Sequence, residues 1–257
     1  MEVHHNSHAH GKKSWKAYFW EFLMLFLAVF CGFLAEYQLE HYIEKQRAKD
    51  FALSLHRDLV ADTAIFNTDT DRLKICIKKM DTLIGLLGNA EQIRDNTASV
   101  YSLSVYAFIY PLSTPDESTL QQLLNSGSLR YFKNNSLADS IKAYNNGVQL
   151  FKDFSLSATN MNIEFRKNQM QIIDINPMIS FIASGRVSTE ALMKIADTNF
   201  FRNRQLLTTE PVRLKEHANW CALKKFYLSN SVFRFISLKR QATAVLKLLD
   251  QKYHIKE

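Results

Sequence analysis

Residues 17–35 read AYFWEFLMLFLAVFCGFLA, apolar on every face and interrupted only by Glu21. Apolarity all round a helix marks a membrane span or a large core. With Tyr37 and Leu39 the run reaches the ~20 residues that cross a bilayer. Beyond it the apolar positions fall into stripes. From residue 36 to about 90 there is no Pro, and steps of three and four pick out Ala52, Leu55, Leu59, Asp62, Phe66, Asp69, Leu73, Cys76, Met80, Leu83 and Leu87. That is a heptad-like, coiled-coil seam with two acidic breaks. The membrane helix is expected to continue into it, bending near residues 62–71, and to stop at Gly88-Asn89.

Residues 96–110 are β-branched and aromatic yet also fit a buried helix, and Pro111 ends them. Thr114-Pro115-Asp116-Glu117 predicts a helix start, with Pro in the first turn and acids against the helix dipole. That helix closes at Ser126-Gly127, and a turn follows over residues 128–135. A second long helix is predicted from Ser136 to about Ile175, with its seam at Leu137, Ile141, Tyr144, Val148, Phe151, Ser155, Ala158, Asn162, Phe165, Gln169 and Ile172. Short helices and turns fill residues 177–209, including one over 188–196. Glu210-Pro211 opens a third long helix to about Tyr253. Its seam runs through Leu214, Ala218, Cys221, Lys225, Leu228, Val232, Phe235, Lys239, Ala242, Leu246, Leu249 and Tyr253, and Phe226, Phe233 and Ile236 widen the apolar face for packing inside a bundle.

The fold class that follows is all-α: an N-terminal transmembrane helix continuing into an elongated bundle of three long helices plus shorter capping helices. Forty residues of helix extend about 60 Å. Residues 96–135 are expected to cap the far end, and residues 177–209 to turn the chain near the membrane.

The flanks of the apolar run set its orientation. Lys12, Lys13, Trp15, Lys16 and Trp20 form a basic and aromatic interface on one side, while Glu36, Glu40 and Glu44 follow on the other. The positive-inside rule places the N-terminus in the cytoplasm. A cleaved signal peptide requires a small residue at −3, where Phe33 stands, and a lipoprotein signal requires one before Cys31, where Phe30 stands. Glu21, about one turn from Lys16, is placed at the interface with its carboxylate reaching back to the headgroups. The domain plan is therefore a short cytoplasmic His-rich tail (residues 1–16), a transmembrane signal anchor (17–37) and a periplasmic helical domain (38–257), held in the bacterial inner, or cytoplasmic, membrane.

Two stretches, KSWKAYFWEFLMLFLAVFCGFLAEYQLE (13–40) and DESTLQQLLNSGSLRYFKNNSLADSIKAY (116–144), carry a family likeness. The first has the Lys/Trp-flanked anchor and long juxtamembrane helix; the second has Leu123, Leu124, Ser126, Gly127, Leu129 and Arg130. In these features the chain resembles an uncharacterised family of bacterial single-pass membrane proteins. The resemblance implies an envelope protein with an extracytoplasmic helical domain, and no activity or catalytic residues.

Composition narrows the chemistry. The formal charge is +7 in 257 residues, and three Cys, one within the anchor, make no disulfide framework. Gly-rich phosphate loops, nucleophile elbows and zinc-protease motifs are absent from the sequence. His4, His5, His8 and His10 are a tail without the spacing of a closed metal site. His41 with Glu44 and Glu216 with His217 are the best metal-like pairs, at similar heights if the third helix starts near the membrane, but solvated helix edges explain them as well. By the same topology Cys76 and Cys221 lie far apart, as buried free thiols. Residues 213–257 hold ten Lys/Arg against three Asp/Glu, a solvated basic face on which Lys224, Lys225, Arg234, Lys239 and Arg240 are suited to anionic lipid or an acidic partner. Base-stacking motifs are missing, so no nucleic acid is expected. Arg130 is a candidate partner or anion contact at the membrane-distal tip, alternatively a turn Arg satisfying helix-end carbonyls. Lys225 and Lys239, placed in an apolar seam, either stretch to its edge or meet Asp62 and Asp69. No catalytic residue, metal or cofactor is expected. The function class is a non-enzymatic, membrane-anchored interaction or scaffold protein whose partners are membrane lipid and a second copy or another envelope protein. The alternative is an extracytoplasmic small-molecule sensor signalling through a partner.

Overall fold

The computed structural model describes residues 14–111, 113–132, 135–183, 189–196 and 199–255. Among them every regular element is helical: α1 (Trp15–Leu87), α2 (Ala90–Ile93), α3 (Thr97–Phe108), α4 (Ser118–Asn125), α5 (Asn135–Gln169), α6 (Asn176–Ala183), α7 (Thr189–Ala196) and α8 (Pro211–Tyr253), with 3-10 turns at Ser128–Phe132 and Asn199–Phe201. The chain divides into two compact units, Met1–Asp50 and Phe51–Glu257.

In the first unit α1 carries one segment long and apolar enough to cross a membrane, and none of that segment is buried within the protein. Its aromatic rings stack along the helix at i, i+4 spacing: Phe22 on Phe26 and Phe26 on Phe30, with centroids 6.2 and 5.8 Å apart. The helix is unbroken through residues 62–71.

The second unit is built on three stripes. Every seam residue expected on α1, from Ala52 to Leu87, is buried, including Asp62 and Asp69. On α5 the expected seam is also buried apart from the half-exposed Ser155. Fully burying one such Leu or Phe contributes about 1.5–3 kcal/mol, which is what holds long helices together where propensity alone is marginal. α5 and α8 form the closest pair of helices. Gly147 makes that approach possible, because a Cβ there would stand 3.1 Å from Leu238 and closer still to the Gln241 amide.

Direction is where the sequence expectation fails. His56 meets Asp250 at 3.0 Å, the Phe66 and Phe235 rings stack at 5.5 Å, and Asp81 pairs with Lys225 at 2.5 Å. As numbers rise along α1 they fall along α8, so these helices are antiparallel. α5 runs parallel to α1: the Tyr144 hydroxyl donates to Asp62 at 2.8 Å, and Gln169 reaches the Ser104 carbonyl in α3, which follows the Leu87 end. The caps are accordingly exchanged. α7 and the turn Asn199–Phe201 pack on α3 at the Leu87 end, while Ser128–Phe132 lies at the opposite end, where Phe132 contacts Tyr253.

The physical reason is the connection from α3 to α4, whose described residues form no regular secondary structure. After α3 the chain leaves the level of Arg166, whose guanidinium donates to the Phe108 carbonyl, and arrives beside Lys152, which pairs with Glu117. The intervening residues 109–117 reach about 30 Å if extended, enough to return along the bundle. Pro111 and Pro115 keep this segment from coiling. Asp62 receives its end, accepting from the Asp116 backbone N–H at 3.0 Å. The same Asp116 delays α4: its carboxylate accepts the Ser118 N–H at 2.9 Å, so the helix opens at Ser118 rather than at Pro115. α5 ends at Gln169, not near Ile175, in a tight turn closed by Ile172 and Ile173 bonding back to the Gln169 carbonyl. Gly127, with φ +66°, ends α4 as its residue type predicts.

Candidate functional site

α8 has two possible seams that share Cys221, Leu228, Phe235, Ala242 and Leu249. One adds the residue four after each, the other the residue three after. The structure takes the second: Lys224, Ser231, Leu238 and Val245 are buried, whereas Lys225, Val232, Lys239 and Leu246 are only half-buried. The shift of one residue puts a lysine in the core.

Lys224 is 1% exposed. Its ammonium donates to Asn162 Oδ1 and lies 6.0 Å from the centre of the Phe165 ring. It forms no ion pair among the described residues; Asp81 pairs with Lys225 and Glu164 with Lys167. Burial, and then the neighbouring Arg166 charge, push its pKa down to about 7. Cys76 of α1 shares this neighbourhood, and burial pushes its thiol up to about 11.

Two turns earlier on α8 a polar chain crosses the core. Asn168 donates to Glu216 Oε1 at 3.4 Å, and His217 Nδ1 lies 2.7 Å from Asn168 Oδ1. The carbonyl oxygen can only accept, so Nδ1 carries the hydrogen and Nε2 is left to accept from Cys221 Sγ at 3.7 Å. Burial pushes His217 down to about 4 and Cys221 up to about 12, so both are neutral at physiological pH. Glu216 and His217 are thus consumed by internal bonds, and His41 bonds Glu44 at 3.2 Å. Among the described residues no group of three or more His, Cys, Asp or Glu side chains gathers to hold a metal. Cys76 and Cys221 are free buried thiols, but because α8 runs antiparallel to α1, with Asp81 paired to Lys225, they lie at neighbouring levels of the bundle instead of far apart.

Two concave features lie in the same unit. An open cleft of about 830 Å³ at the Leu87 end is lined by Thr82, Leu86, Asn96, Ser99, Phe201 and Arg202, among others. A smaller pocket of about 90 Å³ is lined by Tyr110, Thr159, Asn162, Ile163 and Arg166.

The residues expected to make partner contacts are placed as follows. Lys225 pairs with Asp81, not with Asp62 or Asp69, which hold Tyr144 and Arg72 respectively. Lys239 is half-buried at the seam edge. Arg130 is exposed and lies over the Tyr131 ring at 5.3 Å, at the end of the bundle that holds Phe132 and Tyr253. Trp15, Lys16, Trp20 and Glu21 are exposed on α1, and Trp15 stacks on Phe19 at 6.5 Å. Lys12 and Lys13, with the His-rich tail, lie outside the described residues. Phe226, Phe233 and Ile236 do not pack inside the bundle: they are 60%, 71% and 52% exposed. Phe226 meets Tyr227 edge to face, Tyr227 stacks on Phe154 at 5.6 Å, and Arg234 lies 4.5 Å over Phe154. The sequence pattern puts Lys224 on the solvated basic face and the aromatic row inside the bundle; the structure reverses both for one reason, the one-residue choice of register on α8.

No family model, curated protein or solved structure matches the chain.

Proposed function

We propose that the chain is a non-enzymatic interaction module of the bacterial cell envelope. In this reading residues 17–37 anchor it in the inner membrane, the N-terminal tail is cytoplasmic, and residues 38–257 lie on the other side. The basic flank before the span and the acidic flank after it support that orientation. The observation that carries the interaction reading is the outward face of α8. Phe226, Phe233 and Ile236 stand in solvent beside a Phe154–Tyr227–Arg234 cluster. Aromatic and Arg side chains are the residues that dominate binding energy at interfaces, and a row of exposed apolar ones marks a partner surface. The partner is an apolar protein face, from another envelope protein or from a second copy of the chain.

A photo-crosslinking amino acid at Phe233 in the full-length protein tests this in cells. The expected result is one discrete protein adduct, lost when Phe226 and Ile236 are both changed to Ser. These positions are exposed, so the double variant should melt within about 0.5 kcal/mol of the parent. Adducts only with random membrane neighbours would contradict the reading.

A second reading, ligand sensing, is favoured by the open cleft at the Leu87 end, whose hydroxyl, amide and Arg202 lining suits a polar small molecule.

A further inference from the structure

We infer that the pocket between Tyr110 and α5 is a binding site for a small carboxylate. The first observation is the donor set. Asn162 Oδ1 is committed to the Lys224 ammonium, which leaves the Asn162 NH₂ group to donate. Arg166 lines the same pocket. It spends one N–H on the Phe108 carbonyl at 3.5 Å, stacks against the Phe108 and Tyr110 rings at 5.3 and 5.6 Å, and has no carboxylate partner among the described residues. The second is the buried Lys224, which stands behind Asn162 with no negative charge to balance it. A buried ammonium facing a guanidinium is costly without an anion between or beside them.

Size and shape choose the class. About 90 Å³ has room for roughly three waters, the bulk of a carboxylate with one or two carbons attached. Arg binds a planar carboxylate through two parallel bonds. Thr159 cannot add a donor toward the pocket, because its hydroxyl is spent on the Ser155 carbonyl at 2.9 Å. Ile163 and the Tyr110 ring supply an apolar wall for an alkyl group. A bare inorganic oxyanion would leave that wall unused. The site is distinct from the outward aromatic face of α8 and does not depend on it.

Acetate and propionate are the probes, titrated at fixed ionic strength onto the full-length protein in detergent, with melting temperature and isothermal calorimetry as readouts. The expected result is saturable stabilisation with one site per chain. Arg166→Gln removes charge-assisted bonds and weakens binding about tenfold or more. Lys224→Met abolishes the ligand-induced shift while the unliganded protein melts higher than the parent, which separates loss of the site from loss of the fold. Absence of a saturable response overturns the inference. So does an equal or larger response to inorganic phosphate, which lacks the alkyl group, or a response undiminished in Arg166→Gln.

Discussion

Lys224→Met is expected to stabilise the unliganded protein by about 2–3 kcal/mol at pH 7. The folded-state pKa of about 7 lies below the ordinary lysine value of 10.5 because burial disfavours the ammonium. Between those values the unfolded chain holds a proton that the folded chain lacks, so stability rises with pH from about 7 to 10 and is lowest on the acid side. A shift of that size corresponds to about 4 kcal/mol of strain at neutral pH. Methionine removes the charge and keeps the bulk, at the cost of leaving Asn162 Oδ1 without its donor, about 1–2 kcal/mol. Urea denaturation of the parent and the variant at pH 7 and pH 10 measures both parts. The variant should be the more stable at pH 7, and the gap should close toward pH 10. A variant less stable than the parent at pH 7 would show that the lysine is charged and satisfied in the core.

The second large effect is of opposite sign and lies eleven residues along the same helix. Phe235 is fully buried between Phe66 at 5.5 Å and Phe151 at 5.1 Å, the place where α1, α5 and α8 meet. Phe235→Ala removes the ring from both contacts and should cost about 4 kcal/mol. Phe233→Ala, two residues away but 71% exposed, should cost less than about 0.5 kcal/mol. The comparison of the two midpoints tests the register of α8. Equal losses would mean that the seam containing Val232 and Lys239 is the buried one.

Much of this fold is legible in the residue pattern, for reasons that differ by helix. The α1 seam reads correctly through Asp62 and Asp69 because eight apolar residues and Cys76 fix its phase around them. Helix ends also read well where a backbone constraint is residue-specific, as at Gly127 and Pro211. α8 is harder. Cys221, Leu228, Phe235, Ala242 and Leu249 are consistent with two phases, and each phase contains both apolar and polar residues. Only the contacts with α1 and α5 choose between Lys224 and Lys225. The direction of the helices was hidden for another reason. Residues 109–117 lack any hydrophobic period, so nothing local says that they travel the bundle instead of turning on the spot. That one segment reverses the expected course of α5 and α8 and exchanges the caps.

The candidate site shares this limit. Asn162 was visible on the α5 seam, but its meaning depends on Lys224 behind it and Arg166 beside it, which only the three-dimensional packing joins. The aromatic row of α8 was legible as residues and misplaced as a surface, since Phe226, Phe233 and Ile236 belong to the inner face in one phase and to the outer face in the other.

The central proposal is that residues 17–37 anchor the chain with its helical unit outside the cytoplasm. Lys142→Cys places a thiol on the exposed side of α5, where it can be labelled in spheroplasts with a membrane-impermeant maleimide. Cys76 and Cys221 are buried thiols with raised pKa values and should react slowly, and the parent chain controls for Cys31. Labelling of Lys142→Cys before the membrane is broken is the predicted result. Labelling only after lysis would place the bundle in the cytoplasm and contradict the account.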